Sequence, residues 1–165
     1  MLTRILMVYK EKIEELINGC GPWHPAVYES RYIMEFKART ENCFRPIDGL
    51  YQADIEDMVR EYVEEVMCAN GVKGCIRNVV ISGSRCRGLE RENSDLDVVV
   101  ELECDEREDV LFDMLHEEEY KIGGVVVDIN PITRENTGTM EEYMSGVEEY
   151  LGEKYRSEQE QYAEK

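Results

Sequence analysis

Three runs rich in β-branched residues, at 76–81, 95–102 and 125–129, constrain this chain more than any other feature. Elsewhere its apolar residues recur at helical spacing. A chain that switches between these two periods has to bury strands against helices. The expected fold class is α/β (α+β): a short mixed sheet with helices mostly on one face and further helices at both ends.

The helical stripes are legible residue by residue. Leu2, Ile5, Leu6, Tyr9, Ile13, Leu16 and Ile17 share one face, and Gly19 with Gly21-Pro22 supplies the stop. From 23 to 49 the pattern is ambiguous, and Arg31 to Phe36 reads equally as helix or strand between Pro25 and Pro46. A second helix carries Ile55, Met58, Val59, Tyr62, Val63, Val66 and Met67, and Asn70-Gly71 ends it. After the second strand, Asp105 with Glu108 predicts a capped helix with Val110, Leu111, Met114 and Leu115 inside. Gly123-Gly124 precedes the third strand, and Pro131 is expected to stop it. Thr139 with Glu142 repeats the capping pattern ahead of Met140, Tyr143, Met144, Val147, Tyr150 and Leu151.

At 165 residues the chain is expected to form one domain. We divide it into an N-terminal helical or irregular extension (1–52), a core (53–151) and a charged tail (152–165).

Charge narrows the partners. With 37 acidic residues against 19 basic ones, the formal net charge is -18. Such a surface repels a phosphate backbone, whose nonspecific binding depends on Lys and Arg, so nucleic acid is an unfavourable partner. Small substrates, or a basic protein, are easier to accommodate. The six cysteines include no C-x₂-C pair, which argues against zinc. Because the Met1 start leads into charged residues with no apolar signal core, they are expected to be free thiols in a reducing cytoplasm. No apolar run reaches the roughly 20 residues that cross a bilayer.

The chemistry concentrates around two aspartates. Asp95 and Asp97 lie two apart in a predicted strand, so their side chains point the same way, about 6 to 7 Å apart. Two carboxylates opening an apolar strand are unfavourable unless a cation lies between them. Asp128 sits in another Val-rich strand, and an adjacent pairing brings a third carboxylate to the same edge. Three such oxygen ligands suit Mg²⁺. Ahead of them, Ser82-Gly83-Ser84-Arg85-Cys86-Arg87-Gly88 follows a strand and offers backbone N–H groups, hydroxyls and guanidinium groups to a phosphate. Read singly, each feature has a plainer meaning: Asp95 capping a turn, Asp97 on an exposed edge, Asp128 ending a strand, Gly83-Ser84 a simple bend.

Taken together, a Gly-Ser turn, ten residues and then Asp-Leu-Asp resemble the minimal nucleotidyltransferases of the DNA polymerase β superfamily. The matching positions are Gly83, Ser84, Arg85, Arg87, Gly88, Ser94, Asp95, Leu96, Asp97 and Asp128, within 55–132. Cys86 departs from the small residue common at its position. The resemblance implies the polymerase β-like fold and a Mg²⁺-dependent, two-metal transfer of a nucleoside monophosphate, AMP foremost, with Mn²⁺ as a substitute. Asp95, Asp97 and Asp128 would be the metal and catalytic carboxylates. Gly83, Ser84, Arg85, Arg87 and Ser94 would bind the NTP, ATP favoured, although Glu90 or Glu92 offers the arginines another partner. The acceptor would be a hydroxyl of a protein or small molecule. Family examples are aminoglycosides and HEPN-type toxins, for which the enzyme serves as antitoxin. A module that binds a partner or senses nucleotide without turnover is the alternative.

His24 and His116 show no catalytic partner in the sequence and are read as structural. Trp23 and most of the tyrosines are read as core.

Overall fold

The computed structural model describes residues 30–163. The apolar stripe at 2–17, Cys20, Trp23 and His24 lie outside the described residues. Helix α1 (Arg31–Cys43) resolves the ambiguous segment as helix. Ser30 caps it, its hydroxyl accepting from Ile33 N, and Ile33, Phe36 and Thr40 form the buried face. This spacing of three and four favours a helix over a strand, which would have put Ile33 and Phe36 on opposite faces. Helix α2 (Gln52–Ala69) follows. Its first turn is closed by Asp54, which accepts from Tyr51 N at 2.9 Å. Ile55, Val59, Val63 and Met67 form its buried stripe.

The sheet is mixed. Strands β1 (Gly74–Ile81), β2 (Leu96–Cys104), β3 (Lys121–Ile122) and β4 (Val125–Thr133) lie in the order β1-β2-β4-β3. β1 and β2 are antiparallel, β2 and β4 parallel, and β3 and β4 form an antiparallel hairpin. Helices α3 (Glu108–Leu115) and α4 (Met140–Ala163) complete the described chain. α2 lies against β1 and α3 against β4.

The register sorts the residues by face. Leu96, Val98 and Val100 pair with Val127, Ile129 and Pro131 on one side, all buried. The opposite face carries Asp97 beside Asp128, Val99 beside Asn130 and Glu101 beside Ile132. Toward the far end of β2, Val99 and Glu101 are buried too, Glu101 receiving an N–H from Asn78. The polar opening of β2 is thus confined to the end that faces the Gly83 turn.

Three expectations change. Pro131 does not stop β4, which runs on to Thr133. β3 pairs only with Val125 and Val126, so Pro131 lies where the outer side of β4 has no strand, and its missing N–H removes no ladder bond. Asp105 does not cap α3: Arg107 occupies that position without a side-chain cap. Glu108 is drawn away from the capping box, accepting instead from the backbone N–H and hydroxyl of both Thr133 and Thr137. Tyr150, placed with the core residues of the last helix, is 65% exposed. The Thr139–Glu142 box forms as expected, with Thr139 N donating to Glu142 and Glu142 N to the Thr139 hydroxyl.

Because Glu108 gathers four donors at the end of β4, Glu108→Ala is expected to lower stability by about 1–3 kcal/mol, since partners left buried lose their acceptor. Urea denaturation of the variant beside the native chain checks this.

Candidate active site

The hydrogen bond from Ser82 N to Asp97 O, at 2.9 Å, extends the β1–β2 ladder one step past the end of β1. It delivers the following turn to the side of Asp97. Gly83 adopts φ +66, and a Cβ built there would stand 2.0 Å from Asp97 Oδ2. Only a residue without a side chain lets the backbone pass this close to the carboxylate. A short 3₁₀ turn, Arg85–Arg87, follows and closes on Gly88 at φ 66. A Cβ on Gly88 would meet Cys43 O at 2.6 Å, so the loop is seated against the end of α1. The Cys86 thiol donates to Gly83 O at 3.1 Å from a buried position, and burial pushes its pKa up. Cys86 therefore packs the underside of the turn.

Across the sheet, Asp97 is the register partner of Asp128. Side chains of paired residues on adjacent strands share a face, with backbones about 4.8 Å apart. Asp95, just before β2, and Asp128 are exposed, whereas Asp97 is half-buried. Desolvation raises the Asp97 pKa above the usual carboxylate range, and the charges of Asp128 and Asp95 push it the same way. Arg85 opposes the shift. This carboxylate is thus destabilised in its charged form by its own fold.

The structure gives Arg85 and Ser94 scaffolding positions. Arg85 is 8% exposed, and its guanidinium donates to Ser94 O at 2.8 Å and to Asp95 O at 3.2 Å. It thereby clamps the Gly-Ser loop to the start of β2, and neither Glu90 nor Glu92 is its partner in these bonds. Ser94 accepts from Arg91 N through its hydroxyl. Arg87 is half-buried beside the Cys86 thiol. Glu90 faces Arg45, with Nε 3.7 Å from Oε1.

His116 corrects the sequence reading. Its Nε2 lies 2.9 Å from Asp128 Oδ1, so it touches the third carboxylate directly. No local pattern signals this contact. It arises because α3 ends at Leu115 and the β3–β4 hairpin returns the chain immediately alongside.

Among the described residues, no group of three or more His, Cys, Asp or Glu side chains is gathered as a metal cluster. The donor chemistry nonetheless fits Mg²⁺, which binds through one or two protein carboxylates and completes its shell with water and substrate phosphate. The crowding of negative charge at Asp97 is what a divalent cation relieves.

A glycine turn is thus pressed against Asp97 at one end of the two central strands, with Asp95 just before β2 and Asp128 opposite on β4. The sequence model of the nucleotidyltransferase domain matches residues 60–159, and the chain belongs to that family. It is therefore a nucleotidyltransferase, with an NTP as substrate and a nucleoside monophosphate as the group transferred. No curated protein and no solved structure matches it. No described helix is long and apolar enough to cross a membrane.

Proposed function

We propose that the chain transfers AMP from ATP, with Mg²⁺, to a hydroxyl of a protein or small molecule, using Asp95, Asp97 and Asp128. The observation carrying this reading is the pairing of Asp97 with Asp128 across β2 and β4, with Gly83 against Asp97. Asp95 and Asp97 hold Mg²⁺, for which Mn²⁺ substitutes. When bound, the metal neutralises charge on the triphosphate and on the leaving pyrophosphate. Gly83 and Ser84 present backbone close to the phosphates, and Arg85 keeps that turn in register with β2. Asp128 takes the proton of the attacking hydroxyl as its oxygen bonds to the α-phosphorus and pyrophosphate departs.

ATP, and the acceptor classes considered, follow from the family resemblance: an aminoglycoside, or a HEPN-type toxin for which this chain is the antitoxin. The net charge of -18 favours a cationic acceptor of either kind over a nucleic-acid end. The test is incubation with Mg²⁺ and each α-labelled triphosphate, with and without cell lysate. Label reaching an acceptor from ATP with the native chain, and not with Asp97→Asn, is the expected result. A melting temperature raised by ATP and Mg²⁺, with no transfer to any acceptor, would contradict the proposal.

A further inference from the structure

His116 is anchored on three sides. Its Nδ1 lies 2.8 Å from Phe112 O, its Nε2 lies 2.9 Å from Asp128 Oδ1, and its ring stacks on Phe112 at 3.9 Å between centroids. A carbonyl oxygen only accepts, so Nδ1 carries hydrogen. Phe112 is 43% exposed, and its ring covers one face of the imidazole. Asp128, with its side chain half exposed on a strand, has no other hydrogen-bond partner among the described residues: Oδ1 is held by His116 alone.

We propose that His116 is the positioning residue for Asp128, fixing the direction of the third carboxylate and thereby the rate of transfer. This rests on the reading of Asp128 as the group that receives the acceptor proton. A carboxylate displaced by about 1 Å in such a step lowers the rate by up to about 100-fold. Binding of the NTP, which this contact does not touch, is unaffected.

Two variants and two readouts test it. In the labelled-ATP assay, His116→Ala is expected to reduce kcat about 10- to 100-fold with KM for ATP within about twofold. His116→Gln, whose side-chain amide can offer an N–H to Asp128, is expected to recover most of that loss. Independently of turnover, the side-chain ¹³Cγ resonance of Asp128, assigned with Asp128→Asn, should move in His116→Ala and return toward its native position in His116→Gln. The inference is overturned if the resonance stays in place, if His116→Ala turns over within about threefold of native, or if both variants lose kcat and melting temperature alike. Asp128→Asn separates the two ideas. Full activity there sinks the role of Asp128 itself, whereas an inactive Asp128→Asn beside a native-like His116→Ala sinks only the role of His116.

Discussion

Replacing Asp97 with Asn is expected to reduce transfer by about 1000-fold or more, some 4 kcal/mol of transition-state stabilisation, while leaving the ligand-free fold at least as stable as the native chain at neutral pH. The two halves of this result have one cause. Asp97 is half-buried between Asp95 and Asp128, and desolvation together with both neighbouring charges raises its pKa. A group whose folded pKa lies above its unfolded value favours folding when protonated, and that contribution is lost as pH rises through the folded pKa. At neutral pH the native chain therefore carries an ionised carboxylate its fold disfavours, and Asn removes it at nearly constant volume. As pH falls through the carboxylate range, the native chain gains relative to Asp97→Asn. Urea denaturation of both proteins at about pH 7 and about pH 4 reads the difference. A variant markedly less stable at neutral pH would show Asp97 to be a structural acceptor instead.

Gly83→Ala is expected to be the second most damaging change. The new methyl would lie 2.0 Å from Asp97 Oδ2 and 2.8 Å from its carboxyl carbon, so Asp97 must turn aside or the loop must lift. The residue would also occupy φ +66, which an L-amino acid adopts at roughly 1–2 kcal/mol. We expect stability to fall by about that amount and transfer to fall by about 100-fold or more, because both consequences misplace groups on the phosphate side of the site. Gly124→Ala is the control. Gly124 has a similar φ of +79 but nothing within 4 Å of the built Cβ, so it should show the backbone strain without the loss of transfer.

Much of this was readable in the residues. The strand periods located β1, β2 and β4 to within two residues at the start of each, because short β-branched runs bounded by turn-forming residues leave few alternatives. The Thr139–Glu142 box marked the start of α4 because its donors and acceptors are local in sequence. What stayed hidden was non-local. Whether Pro131 ends β4 depends on where β3 stops, and a two-residue strand leaves little sequence signal. Glu108 abandoned its cap because Thr133 and Thr137 offer four donors from another element. The chemistry of Arg85 suggested a triphosphate or a nearby glutamate as its partner, and its bonds to two carbonyls of the facing loop are something only the folded chain reveals. The contact between His116 and Asp128 joins a helix end to a strand and has no periodic signature.

Electron paramagnetic resonance of Mn²⁺, with a non-hydrolysable ATP analogue present, tests the central claim most directly. The native chain is expected to hold the ion in a bound form whose signal Asp97→Asn largely abolishes, in a protein that is still folded. An identical bound signal from native chain and variant would show that the cation and its triphosphate are held elsewhere, and would contradict the site described here.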